Sequence, residues 1–221
     1  ARQVLSTVVV TGLFASTASA TVDRWGVGRT ATAARTVVGA TAAVERFGTA
    51  TGFPFGRYSY TGALRPEVGG VPAIVPLAWF AMALPARETA HAALGRHSNP
   101  ATRADVGSAA LTAWDLFLDP QMVGEGYWAW TRRGVYRGIP VTNFLGWFAT
   151  GLAIIFVLDM LLPPAERPAD ADDVLVGQYA VMGVMETLGF ARFFRDPLVA
   201  AVGGSVMLPI AAVAGARKLR G

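Results

Sequence analysis

Residues 139–162 read IPVTNFLGWFATGLAIIFVLDMLL, and they set the class of the molecule. The run is almost uninterruptedly apolar, and crossing a bilayer as a helix takes ~20 such residues. Pro163-Pro164 and the acidic segment Ala169-Asp170-Ala171-Asp172-Asp173 stop it. Two further apolar runs follow at 174–191 and 197–216, and Arg217, Lys218 and Arg220 close the chain. Towards the N-terminus, residues 106–118 and 71–86 read as two more spans, the latter with Pro72, Pro76 and Pro85. Internal proline is tolerated in a membrane helix where neighbouring groups satisfy the freed backbone. Residues 30–48 are rich in small side chains, which let helices approach closely, and carry Arg35 and Glu45. Residues 3–22 are apolar after Arg2, and their end at Ala18-Ser19-Ala20 also fits a signal peptide. The chain opens on Ala1 instead of Met, the expectation for a sequence with residues upstream. The expected fold is all-α: a polytopic transmembrane helical bundle of about seven spans, six to eight, in one integral membrane domain over 1–221, with no internal repeat. The segments 49–70 and 87–105 read as loops, the second solvated and holding His91 and His97.

Composition agrees. Of 221 residues 53% are hydrophobic and 15% charged, against about 25% charged in soluble domains, and the mean hydropathy is +0.42. There is no cysteine and there are only two histidines, so disulfides, thiolate metal sites and multi-histidine sites are excluded, and no metal or cofactor is expected. The formal charge is +4; in a membrane protein such an excess points to basic loops against anionic headgroups, with no nucleic-acid partner. Lys218 is the single lysine among 19 cationic side chains, a composition typical of GC-rich bacterial genomes. The loop cations divide almost evenly between the two sides, so they give no orientation.

Against this background the segment 114–130, WDLFLDPQMVGEGYWAW, is costly. Ionisable groups at membrane depth are expensive and mark functional sites. Asp115 and Asp119 are four residues apart and share a helical face. Two close carboxylates in a low dielectric do not both ionise readily, which gives an acid beside a base. The competing role for Asp119 is a helix end ahead of Pro120, paired with Arg132 or Arg133. Glu45 is either a catalytic acid or half of a packing ion pair, and Glu186 has the same ambiguity. Glu125 sits in a Gly-rich turn. Seven spans put Glu45, the loop 53–60, Asp115, Asp119, Glu125, Asn143 and Glu186 towards one side. The aromatic side chains there include Tyr58, Tyr60, Trp114, Tyr127, Trp128, Trp130, Tyr136 and Trp147. They suit an interfacial belt, or a sleeve for an isoprenoid chain whose ring faces stabilise a carbocation. Asn143 can orient a water or satisfy the local backbone. The spacing Asp-x-x-x-Asp also suggests a membrane prenyltransferase holding Mg²⁺, but no second acidic motif falls on the same side.

Several runs together resemble one family. They are Glu45-Arg46-Phe47-Gly48, the segment 53–61 (FPFGRYSYT), Pro76-Leu77-Ala78-Trp79, the segment 114–120, Gly138-Ile139-Pro140, Asn143-Phe144 and Gly146-Trp147. In order and spacing these are similar to the membrane carotenoid-biosynthesis hydratases, the group of carotenoid 1,2-hydratase and bisanhydrobacterioruberin hydratase. The motifs span roughly residues 40–150, and the helix layout the whole chain. The resemblance implies a hydro-lyase that adds water to the terminal double bond of an acyclic carotenoid, giving a tertiary alcohol without a redox cofactor. From the chemistry itself, Asp115 is the expected proton donor, Asp119 the base or water holder, and Glu45 the second choice as acid. Tyr58, Tyr60, Trp79, Trp114, Trp128, Asn143 and Trp147 are the expected substrate-binding residues. A carotenoid pigment-binding subunit of the same fold, with partners in a membrane complex, is the alternative. The expected location is the bacterial cytoplasmic membrane, with several crossings and the lipid bilayer as partner.

Overall fold

A computed structural model describes residues 2–220; Ala1, Gly221 and the side chains of Arg2 and Gln3 lie outside the described residues, and with them the readings of Ala1 and Arg2 above. The described chain forms six α-helices: α1 (Arg2–Thr51), α2 (Ile74–Leu94), α3 (Pro100–Gly124), α4 (Val141–Leu161), α5 (Asp173–Arg192) and α6 (Pro197–Lys218). Four short strands lie between them: β1 (Tyr58–Tyr60), β2 (Glu67–Val68), β3 (Val71–Pro72) and β4 (Trp128–Trp130). The expectation of helices throughout holds, with these strands as an addition. Four of the described helices are long and apolar enough to cross a membrane: Val4–Thr51 in α1, then α4, α5 and α6. The protein is an integral membrane protein. Helices α2 and α3 are not in that set; they hold the buried charged groups Arg87, Glu88, Arg103, Asp115 and Asp119.

The first two expected spans are joined without a loop. Helix α1 continues from one to the other and breaks only at Gly26, whose φ of 82° and ψ of 162° are non-helical. Positive φ is open to glycine at little cost, so a single residue redirects the helix.

The residues fall into two compact units, and α2, α3 and α4 each contribute to both. The first unit comprises residues up to Ala81 and Leu118–Trp147. Here Thr17 Oγ1 donates to the Ala81 carbonyl at 2.9 Å. Ala81 is the residue whose carbonyl would accept from position 85, where Pro85 has no N–H. The threonine therefore satisfies the group that the proline orphans, which is how α2 tolerates it. Strands β1 and β4 pair antiparallel, Tyr58 with Trp130 and Tyr60 with Trp128. Strands β2 and β3 form a separate pair.

The second unit comprises Met82–Phe117 and the residues from Phe148 onward. It corrects the reading of 87–105 as a solvated loop. Helix α2 runs on to Leu94, α3 starts at Pro100, and only a 3-10 turn, Gly95–His97, separates them. Arg87, Glu88, His91 and Arg103 are buried. Arg87 bridges to Glu88 at 2.5 Å, and Arg103 bridges to Asp159 at 2.6 Å. Arg87 also donates to the carbonyls of Leu158 and Leu162 near the end of α4. Two cations and two anions cancel, and both Nη groups of Arg87 and all three nitrogens of Arg103 reach acceptors, so this polar segment is held inside. His91 is helical, not a loop residue: its ring meets Ser98 Oγ at 2.6 Å and the Ala165 carbonyl at 2.9 Å. Helices α5 and α6 pack through glycines; a Cβ on Gly183 would stand 3.2 Å from Met207, and one on Gly204 2.9 Å from Thr187. Asp172 and Asp196 cap the two helices by accepting from Leu175 N and Val199 N.

Candidate functional site

Two three-residue strands organise the site. Tyr-Ser-Tyr in β1 faces Trp-Ala-Trp in β4. Side chains alternate across a strand, and opposed residues of an antiparallel pair share a face. Tyr58, Tyr60, Trp128 and Trp130 therefore lie on one face, and Ser59 and Ala129 point outward, both exposed. The aromatic face is tightly assembled: the Tyr58 and Trp130 ring centres are 5.1 Å apart, and Tyr60 meets Trp128 edge to face at 5.9 Å.

This ribbon serves a buried carboxyl group from each of two helices. Glu45, near the end of α1, is 5% exposed. The Tyr58 and Tyr60 hydroxyls both donate to its Oε2, Tyr60 at 2.7 Å. Trp79 Nε1–H of α2 donates to Oε1 at 3.2 Å. Asp119, on α3, is 3% exposed. Trp128 Nε1–H donates to its Oδ1 at 2.7 Å, and the Asn143 amide of α4 donates to Oδ2 at 2.5 Å. These five donors are uncharged. Among the described residues no arginine pairs with Glu45, and its environment is that of a polar site inside an aromatic wall. Burial, and then the adjacent Glu45 carboxyl, push the phenols of Tyr58 and Tyr60 up from their ordinary range. Both stay protonated and keep donating.

Asp119 is not a helix end. Helix α3 continues through Pro120 to Gly124, so the expectation of a stop or an Arg132 or Arg133 partner gives way to mid-helix placement beside Trp128 and Asn143. The turn after it, with half-buried Glu125, returns the chain to β4; Tyr127 N donates to the Met122 carbonyl at 2.9 Å. Asn143 sits in the first turn of α4, and its amide is used by a carboxylate.

A second aromatic layer supports the first. Trp79 and Trp147 stack at 3.8 Å with 13° between their planes. Phe55 is fully buried, 6.5 Å from Trp79 and 6.2 Å from Tyr58. Its ring fits because Gly48 and Gly146 lack side chains: a Cβ would lie 3.1 Å from the ring at Gly48 and 2.7 Å at Gly146. Phe55, Trp130 and these glycines were not among the residues expected to bind substrate. The alternation Tyr-Ser-Tyr against Trp-Ala-Trp is the one signal that could have pointed to Trp130; nothing local singles out Phe55.

The first unit thus brings together Glu45, Tyr58, Tyr60, Trp79, Asp119, Trp128, Asn143 and Trp147. Asp115 and Trp114 are buried on the preceding turns of α3 and belong to the second unit, as does Glu186 on α5. Among the described residues no three His, Asp or Glu side chains are grouped to hold a metal ion.

Comparison with known proteins bears on the chain as a whole. A bisanhydrobacterioruberin hydratase from Haloarcula japonica is 31% identical over 118 residues, 52% of this chain. The match spans 40% of that relative's length. No solved structure matches the chain. Residues 3–210 match the model of the family described as carotenoid biosynthesis protein. The chain belongs to this family, and its place is in carotenoid biosynthesis.

Proposed function

We propose that the protein is a hydro-lyase that hydrates the terminal 1,2 double bond of an acyclic carotenoid to a tertiary alcohol. The observation that carries this reading is the pair of buried carboxyl groups, each held by uncharged donors of which at least one lies on the shared aromatic ribbon. Such a pair supplies an acid and a base without a net cation nearby. In the step itself, a carboxylic O–H transfers its proton to the less substituted alkene carbon, whose π electrons form the new C–H bond. The positive charge falls on the carbon bearing two methyl groups. Water adds there, and the second carboxylate takes the proton that the bound water releases. Atoms and charge balance: alkene plus water gives alcohol.

The hydrogen bonds suggest the roles. Three donors converge on Glu45, so it is built as an acceptor, and it is the base that holds water. Asp119 accepts one bond on each oxygen, so each oxygen keeps a lone pair for a proton; it is the donor. This reverses the order expected from sequence spacing. Asp115, one turn away on the same helix, is a second acid. The ring faces of Tyr60, Trp79, Trp128 and Trp147 are suited to a polyene end and to the cation formed on it.

The two halves of α1 on either side of Gly26 each exceed twenty residues, ~35 Å of helix, enough for a ~30 Å hydrocarbon core. With α2 to α6 they would make seven crossings of a bacterial cytoplasmic membrane in one domain. The test is co-expression with a pathway that accumulates an acyclic carotenoid. Hydration adds the mass of one water to the pigment. Pigment that co-purifies with the protein and never changes mass indicates a binding subunit instead.

A further inference from the structure

The loops beyond the aromatic ribbon carry a charge that the hydration reading does not use. Between α1 and α2, and between α3 and α4, the first unit has Arg57, Arg65, Arg132, Arg133 and Arg137, against Glu67 and Glu125 alone. Arg57, Arg132, Arg133 and Arg137 are exposed. They are held on a built scaffold. Thr131 N donates to the Arg57 carbonyl at 2.9 Å, which joins the two loops. Residues 134–139 close a tight hairpin through Gly134 N to Gly138 O at 2.9 Å and Ile139 N to Tyr136 O at 2.8 Å. A side chain at Gly134 would collide with the Ile139 backbone. At the hairpin tip Val135 is 91% exposed, flanked by the arginines, while Tyr136 beneath it packs edge to face on Phe144 at 5.7 Å. Phe53 on the joined loop is 70% exposed. An apolar tip ringed by cations, at the ends of membrane helices, matches the headgroup boundary of an anionic bilayer.

We propose that the 131–138 hairpin docks on the anionic phospholipid surface, with Val135 dipping into the headgroup boundary and Arg132, Arg133 and Arg137 facing lipid phosphates. It follows that the site end of the first unit faces the more anionic leaflet, the orientation that the cation count along the chain does not give. The proposal stands whether or not the carotenoid is hydrated.

The chain has no cysteine, so Val135→Cys supplies a unique attachment point for a polarity-sensitive fluorophore. The full-length labelled protein is placed in nanodiscs of phosphatidylcholine alone or with phosphatidylglycerol. The expected result is a blue shift with phosphatidylglycerol that 0.5 M NaCl reverses and that inorganic phosphate added to phosphatidylcholine discs does not reproduce. Adding R132Q, R133Q and R137Q weakens the lipid preference by about fivefold per arginine, whereas lysine at the same positions retains it. Equal emission in both lipids, or a shift indifferent to salt, overturns the proposal. Because the salt arm uses the native arginines, a poorly folding triple variant does not decide the result. A shift produced by inorganic phosphate alone assigns the loop to soluble anions and also overturns it.

Discussion

Replacing Trp128 by Phe removes one hydrogen bond and leaves most of the packing. The six-membered ring of Phe can keep the edge-to-face contact with Tyr60, 5.9 Å between centres in the native pair. What disappears is the Nε1–H donor, 2.7 Å from Asp119 Oδ1. Asp119 is 3% exposed, so bulk water does not simply replace the lost donor, and only the Asn143 amide still fixes the carboxyl through Oδ2. A hydrogen bond to a charged or charging group contributes ~1.5–3 kcal/mol, and ~1.4 kcal/mol is a factor of ten in rate. W128F is therefore expected to hydrate about ten- to a hundredfold more slowly while it accumulates in membranes like the parent. The assay is the ratio of hydroxylated to parent carotenoid over time in membranes, normalised to protein, beside a thermal aggregation curve in detergent. Parental turnover with an unchanged curve would refute the role given to this hydrogen bond. A slow variant that also aggregates early would mean that Trp128 is chiefly a packing residue.

Other substitutions probe the frame. In Gly146→Ala the new Cβ would stand 2.7 Å from the Phe55 ring and 2.9 Å from the Pro54 carbonyl; overpacking of this kind costs ~1–3 kcal/mol, to be seen as a lower aggregation temperature. Thr17→Val should destabilise by about 1 kcal/mol by removing the hydrogen bond to the Ala81 carbonyl, and much less in a Pro85→Ala background, where the helix supplies its own N–H; a double-mutant cycle in denaturation measures the coupling. Arg87→Met leaves Glu88 buried without its cation and should cost about 3–5 kcal/mol. Arg167→Ala removes an exposed pair with Asp170 and should change stability by under about 1 kcal/mol; equal effects from the two would contradict the burial argument.

Much of the site was legible because expense is legible. Glu45, Asp119 and Asn143 stand out in apolar surroundings, and span counting placed them towards the same side as the loop 53–60, though it placed Asp115, Glu125 and Glu186 there as well. Their partners were harder to read. Strands β1 and β4 are three residues each and lie far apart in the chain, so their period-two pattern is too short to announce a sheet, and the pairing that hands Tyr60 to Glu45 and Trp128 to Asp119 is non-local. The segment 87–105 misled for a related reason. Its residues are polar, but Asp159 and the carbonyls of Leu158 and Leu162, which let Arg87 and Arg103 be buried, belong to α4 and its C-terminal edge, far along the chain. Pro120 looked like a stop because a proline restricts its predecessor locally, whereas packing kept α3 helical for another turn. The break at Gly26 falls in the charged gap between the two expected spans, beside Asp23, Arg24 and Arg29; that the chain stays helical on both sides of it, with one residue's backbone angle as the only interruption, is what composition does not mark.

The most direct measurement sets the native chain beside E45Q and D119N in cells that accumulate an acyclic carotenoid. Pigment mass is read by chromatography and mass spectrometry, and folded protein in the membrane is quantified alongside. The expected result is a pigment heavier by one water with the native chain, and unchanged pigment with either variant at equal protein level. Hydrated pigment at native yield from either variant would contradict the assignment of the buried carboxyl pair as the acid and base.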